Sequence, residues 1–260
     1  MSDILVVKIG GSTLGNHDTT LEDVIALQRQ GLRPVVVHGG GALISEWLTL
    51  HNVPTRFEGG LRVTDSATLR VVVAVLAGLV NKELVIGIGA LGGRAFGLSG
   101  ADGALLRGRI VDDALGFVGE ITAVDAPLLL RLMDHGLMPV VAPIAVLEQG
   151  GLRTSQLLNV NADTAAGAIA AALSARWLVF LTDVPGVKSR EGQVLSALSP
   201  QEADRLISAG VIEGGMIPKV KACLQAAATG VTSVIVDGRR AHALRHTISG
   251  ETVGTVVKGA

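Results

Sequence analysis

Five short apolar runs punctuate the chain: Ile4–Ile9, Pro34–His38, Met138–Ala142, Leu178–Thr182 and Ser233–Asp237. Each is rich in Val, Ile and Leu and shows no alternation of polar and apolar positions. A strand buried on both faces has that appearance. Between the runs, apolar residues recur at helical spacing. They predict helices over 21–30, 42–51, 65–88, 126–135, 162–174, 200–209 and 218–228. Strands alternating with helices define an α/β chain, with a parallel sheet covered on both faces. Ligands of such sheets bind beyond the carboxyl ends of the strands, where Lys8, Gly39–Gly41, Asp183 and Asp237 fall.

The segment 98–124 breaks this rhythm. It is rich in Gly and Asp and holds two strand-like pieces, 104–111 and 117–122, expected as hairpins projecting from the sheet. No Pro- or Ser-rich linker and no fixed-period repeat occurs. Two lobes sharing one sheet are expected, 1–174 and 175–260.

Composition narrows the chemistry. The chain is 260 residues long, 48% apolar and 2% aromatic, so its core is aliphatic; its 34 glycines imply many tight turns. Net charge is −1 and no basic tract occurs, which argues against nucleic-acid binding. The single Cys223 cannot form an internal disulfide and reads as a small buried residue of a helix. The longest apolar stretches, 71–80 and 165–175, are short of the roughly 18 residues a membrane span requires. A cytoplasmic protein without a membrane anchor is expected.

Candidate chemistry lies at the turns. Two apolar strands run into glycine turns, Lys8-Ile9-Gly10-Gly11 and His38-Gly39-Gly40-Gly41, where backbone N–H groups can approach an anion. Arg62 follows Gly59-Gly60 and suits bidentate capture of a carboxylate; a solvated loop arginine is the alternative. Thr64 or Asp65 resembles a helix N-cap. Asn159, Asn161 and Asp163 form a dense polar run before an Ala-rich helix, more groups than a cap requires. Lys219 follows Gly214, Gly215 and Pro218 near a helix start, with Pro218 expected as the first helical residue. A cation there opposes the helix dipole, and a bound anion would relieve the conflict. Gly87-Ile88-Gly89-Ala90-Leu91-Gly92 has dinucleotide-loop spacing, but no strand precedes it, so it reads as a helix end. His38 reads as a hydrogen-bonded structural residue. The scattered histidines and lone Cys give no metal site.

Six motifs taken together resemble the amino acid kinase family: Lys8–Gly11, Val37–Gly41, Gly60–Thr64, Asn159–Asp163, Leu181–Val187 and Gly215–Lys219. The resemblance runs nearly the whole length and is most specific to members that phosphorylate N-acetyl-L-glutamate. It implies a three-layer α/β/α sandwich around one mostly parallel central sheet. It also implies an ATP-dependent phosphorylation of the substrate's side-chain carboxylate, the second step of arginine biosynthesis. Lys8, Lys219 and Asp163 would be catalytic, with Asp163 orienting the lysines. Gly40, Gly41, Arg62, Asn159 and Asn161 would bind the acyl amino acid. Gly10, Gly11, Asp183, Val184, Gly186, Val187, Val211, Ile212 and Glu213 would bind ATP, with Mg2+ held mainly through the nucleotide.

Two other readings stand beside this one. One is a sister kinase acting on carrier-protein-linked aminoadipate or glutamate, the other a non-catalytic sensor of the same fold. The helix over 69–80 is apolar all round, with Leu69, Val72, Val73, Leu76, Leu79 and Val80 on one face and the smaller Val71, Ala74, Val75 and Gly78 opposite. A homodimer burying the second face is expected; a deeply buried monomer helix or a strand is the competing reading. Arginine-inhibited relatives carry a helix before the first strand. Here the strand begins by Ile4, so the expectation is a dimer insensitive to arginine.

Overall fold

The computed structural model describes residues 3–10, 19–251 and 254–258. Gly11, expected at the nucleotide, lies outside them. The chain forms two compact units, one of residues 1–35 and 166–260, the other of residues 36–165. The elements form a mixed, mostly parallel sheet flanked by helices.

The first unit begins with β1 (Ile4–Ile9) and α1 (Thr20–Arg29), and the chain leaves it through β2 (Arg33–His38). In the second unit follow α2 (Gly41–Leu50), the two-residue strands β3 (Phe57–Glu58) and β4 (Leu61–Arg62), α3 (Ser66–Val73) and α4 (Asn81–Ala90). Next come β5 (Ala95–Ser99), β6 (Leu106–Ile110), β7 (Val118–Val124), α5 (Ala126–Asp134), β8 (Met138–Ala142), β9 (Ile144–Gln149) and β10 (Leu152–Val160). α6 (Ala162–Ala172) carries the chain back to the first unit. There it makes β11 (Trp177–Thr182), β12 (Ala197–Leu198), α7 (Pro200–Ser208), α8 (Met216–Ala227), β13 (Thr232–Asp237), α9 (Ala243–Ile248) and β14 (Thr255–Val257).

In the first unit the strands lie in the order β12-β14-β13-β11-β1. β1, β11 and β13 are parallel, with Lys8 opposite Phe180 and Thr182 opposite Asp237. β14 is antiparallel to β13 and makes the sheet mixed. Leu5, Val6, Val7, Leu178, Val179 and Phe180 are fully buried, as continuous apolar strands between helical layers must be. Asp23 of α1, 1% exposed, accepts from His242 Nδ1 at 2.8 Å and ties α1 to the start of α9.

In the second unit β2, β8 and β5 run parallel. The pieces expected as projecting hairpins pair as β6 and β7, but with β9 and β10 they close a four-stranded barrel. Ring closure leaves no open edge among these four strands. Gly116, at φ +68°, lies against Thr64; a Cβ there would stand 2.4 Å from Thr64 O.

The helix predicted over 65–88 spans Ser66–Ala90, with a π-helical stretch at Ala74–Val80 between α3 and α4. Asp65 is its N-cap, accepting from Thr68 N at 2.8 Å. Gly92, at φ +80°, and Gly93 close its end through bonds to Gly89 O and Ile88 O, so the glycine-spaced run is a helix terminus. The two-face assignment needs correction. Val75 is fully buried together with Val72, while Ala74 and Gly78 are exposed. A π turn takes an extra residue, so the faces rotate where it begins. By length and composition alone this helix is long enough and apolar enough to cross a membrane, contrary to expectation, because Arg70 and Asn81-Lys82-Glu83 interrupt the run only locally. In the fold, α4 lies against β5 and β8. α8 also differs from expectation: it begins at Met216, making Pro218 its third residue. That position tolerates proline because the first four helical N–H groups have no intrahelical acceptor.

Candidate active site

The expected site residues fall into two clusters, one in each unit. In the second unit, β2 ends at His38 and the chain enters α2 within two residues. That tight passage puts Gly40 at the N-cap and Gly41 at the first helical position, with backbone N–H groups that helix geometry leaves without intrahelical acceptors. Gly40 is also confined by packing: a Cβ there would lie 2.7 Å from Leu76 Cδ2 and 3.3 Å from Val80 Cγ2. The imidazole of His38 is fully buried, as expected of a structural residue; its Nδ1 donates to Gly39 O at 3.0 Å.

Arg62 is delivered to this turn by the β3–β4 hairpin, whose corner uses Gly59 and Gly60 at φ +56° and +81°. Far from being a solvated loop residue, it is 8% exposed. Its Nη2 donates to Gly41 O at 3.0 Å and to Ser45 Oγ at 2.8 Å. Its Cζ stands 4.6 Å from the centre of the Phe57 ring. Nη1 is buried without a hydrogen-bond partner, and among the described residues no carboxylate pairs with this guanidinium. Burial pulls its pKa below the ordinary arginine value. A buried cation held only by neutral groups is costly, and a bound anion would relieve that cost.

Asn159 enters from β10. Its Nδ2 donates to Thr64 Oγ1 at 3.0 Å, and Thr64 donates to Arg62 O at 2.6 Å. The backbone holds this arrangement too: Thr64 N bonds Leu115 O, Phe117 N bonds Thr64 O, and Asn159 N bonds Phe117 O. Gly41, Arg62 and Asn159 are thereby linked through Thr64. Asn161 takes the capping role, its Oδ1 accepting from Asp163 N at 2.8 Å and Thr164 N at 3.1 Å. Asp163 stands in the first turn of α6, 4% exposed.

In the first unit, parallel register places Lys8 and Gly10 beside the carboxyl end of β11. Lys8 is 8% exposed, and Gly10 N donates to Leu181 O at 3.3 Å. Asp183 follows β11 directly, and Asp237 ends the neighbouring β13. Arg239 chelates Asp237 with bonds of 2.9 and 2.8 Å, which holds that carboxyl below the usual carboxylate range. The turn Asp183–Val187 is pinned by Thr255, whose Oγ1 accepts from Val187 N at 2.8 Å. Gly186 lies so close that a Cβ would meet Thr255 Oγ1 at 2.7 Å. Ile212 is buried, whereas Glu213 and the glycines 214–215 are exposed at the approach to α8. Lys219 projects from the first turns of α8, its Nζ 3.2 Å from Gly215 O. A glycine-lined helix N-terminus carrying a lysine fits a phosphate chain, which is the test a bound nucleotide must pass.

Sequence reasoning missed Ser45, Phe57 and Arg239. Ser45 had a faint signal, four residues after Gly41 and so on the same helix face. Phe57 and Arg239 had none.

The fold and these two clusters define a phosphotransferase of the α/β class. The chain belongs to the amino acid kinase family, whose pattern matches residues 3–237. It is 44% identical to the acetylglutamate kinase of Dehalococcoides mccartyi, over 98% of this chain and 94% of that one. It is likewise 44% identical to the chloroplastic acetylglutamate kinase of Arabidopsis thaliana, over 98% of this chain and 75% of the relative. Among solved structures, the smu.665 protein of Streptococcus mutans UA159 superposes with a TM-score of 0.85 at 28% identity, covering both chains completely.

Proposed function

We propose that this chain transfers the γ-phosphoryl group of ATP to the side-chain carboxylate of N-acetyl-L-glutamate, the second step of arginine biosynthesis. The observation that carries the reading is the buried Arg62 guanidinium with Nη1 unspent, in a chain this similar to acetylglutamate kinases. Arg62 would take the α-carboxylate. Gly40, Gly41 and Asn159 would hold the rest of the acyl amino acid, with Asn161 shaping the loop as a cap.

A carboxylate is already a nucleophile, so no general base is required. Its oxygen attacks the γ-phosphorus, the bond to the β–γ bridging oxygen breaks, and an acyl phosphate and ADP leave. The difficulty is electrostatic, an anion approaching a polyanion. Lys8 and Lys219 would neutralise the transferring group, with Gly10 and Gly11 offering backbone N–H groups and Asp163 acting through the lysines. Asp183, Val184, Gly186, Val187, Val211, Ile212 and Glu213 would hold the nucleotide. Mg2+ would be carried mainly by the phosphates and would spread their charge. In this scheme residues 1–174 serve the acyl amino acid, with Lys8, Gly10 and Gly11 reaching the transferring phosphoryl group, and 175–260 serve the nucleotide, in a cytoplasmic enzyme.

The same reading includes a homodimer. Ala74 and Gly78 are exposed on the long helix, small enough for a partner helix to approach closely. Light scattering of the chain and of Ala74→Glu tests it: a dimer that becomes a folded monomer is expected, and a monomer in both ends this part of the proposal.

ADP release with N-acetylglutamate, aspartate, carbamate, UMP and glutamate tests the reaction, with hydroxylamine trapping of the acyl phosphate. Turnover should be confined to N-acetylglutamate. A higher kcat/KM on any other compound overturns the assignment.

A further inference from the structure

The way Arg62 is held goes further than the assignment of its ligand. Nη2 carries two hydrogens, and both are spent, on Gly41 O and on Ser45 Oγ. Ser45 has no freedom to do otherwise: its own hydroxyl hydrogen goes to Gly41 O at 3.0 Å, one helical turn back. Its oxygen can therefore only accept toward Arg62. The centre of the Phe57 ring lies 4.6 Å from Cζ. Nη1 is buried and without a partner.

We propose that Ser45 is a positioning residue that makes the site selective for an α-carboxylate, by locking the Arg62 guanidinium so that Nη1 is the edge left for the ligand. The proposal rests on the function proposed above. A locked pair of N–H donors accepts a carboxylate oxygen and rejects the amide nitrogen of an α-carboxamide, which brings donors against donors. A guanidinium free to turn as a unit about its Cδ–Nε bond can swing to the carboxamide's one oxygen and so discriminates less. Gly41 O alone leaves that rotation open, because one bond fixes a direction but not a plane. Ser45 supplies the second point.

The test compares N-acetylglutamate with its α-amide, which keeps the side-chain carboxylate that would be phosphorylated. kcat/KM and calorimetric Kd without ATP are measured for both compounds on the unaltered chain, Ser45→Ala and Ser45→Thr. Ser45→Ala favours helix and leaves Arg62 Nη2 its bond to Gly41 O, so it will fold. The expected result is about a tenfold fall in the preference for the carboxylate in Ser45→Ala, the size of one lost hydrogen bond. kcat on N-acetylglutamate should be nearly unchanged and the preference restored in Ser45→Thr, whose hydroxyl can make the same bonds. An undiminished preference in Ser45→Ala, with KM for both compounds raised equally, reduces Ser45 to helix structure and overturns the proposal. If the unaltered chain binds N-acetylglutamate but does not phosphorylate it, the reaction assignment fails while the calorimetric preference still decides this one. Binding of neither compound overturns both.

Discussion

Asn81 Nδ2 lies 3.2 Å from His38 Nε2, and this contact fixes the buried histidine as a neutral acceptor. Nδ1 must carry the proton, since Gly39 O can only accept. Asn81 itself is fully buried and also bonds Val140 O at 2.9 Å, so one amide joins the start of the glycine turn to the middle of the sheet.

That neutrality makes the fold sensitive to acid. Burial, reinforced by the nearby Lys82 charge, lowers the His38 pKa to about 4 against the opposing pull of Gly39 O. In the unfolded chain the same imidazole takes up its proton near 6.5. Between those values the unfolded state binds more protons, so stability rises with pH across the window and is lost as pH falls from about 6.5 toward about 4. The contribution is about 3 kcal/mol. Urea midpoints measured across that range should fall steeply for the unaltered chain and less for His38→Gln. Parallel slopes would remove His38 as the cause.

Arg62→Met removes a buried cation that has no counter-ion among the described residues until ligand arrives. The KM for N-acetylglutamate should rise roughly 10- to 100-fold, as expected for a lost charge-assisted bond, while the KM for ATP stays put. Without ligand the variant should melt at the same temperature or higher, because an uncompensated charge has been replaced by apolar volume. A matching rise in both KM values would take Arg62 out of the substrate site.

Lys8→Ala and Lys219→Ala should each lower kcat by roughly 10²–10³, the usual loss when one oriented charge is taken from a transition state. Lys8→Arg should be poor as well, since a planar fork does not replace a point charge at a fixed distance. Asp163→Asn should lower kcat and leave ATP affinity nearly intact in calorimetry. Near-normal turnover in folded Lys8→Ala would end its assignment to the phosphoryl group.

The strands buried on both faces were the most legible part of the sequence. Ile4–Ile9 and Met138–Ala142 have the bounds that their apolar runs predict. Strands with one open face were not. β5 contains Gly97 and an exposed Phe96, and β10 mixes Arg153, Gln156 and Asn159 with Leu, so neither carries a clean period. Barrel closure is a long-range pairing that hairpin-scale patterns do not encode. In the candidate site, Gly40, Gly41 and Arg62 announce themselves by glycine context. Ser45 does not, because its effect depends on meeting a hairpin seventeen residues away. Asn161 shows the converse limit: a residue with binding potential whose side-chain oxygen is taken by the helix it caps.

Gly40 offers the sharpest test of how packing sets the glycine turn. Its φ of 171° is extended backbone that any residue adopts, so the requirement for glycine there is steric. An added Cβ meets Leu76 Cδ2 at 2.7 Å, and Leu76 lies buried in the π-helical stretch. Gly40→Ala must therefore push either Leu76 or the turn, and overpacking of this kind costs about 1–3 kcal/mol. A displaced turn would carry the Gly41 N–H and carbonyl with it, raising the KM for N-acetylglutamate and loosening Arg62 as well. Leu76→Val removes the offending carbon. The double variant Gly40→Ala with Leu76→Val should recover most of the lost affinity and part of the lost stability, whereas Leu76→Val alone should only destabilise. Steady-state KM and thermal midpoints of the four proteins form a double-mutant cycle whose coupling term measures the contact. Purely additive effects would mean that the turn is positioned by something other than its packing on Leu76.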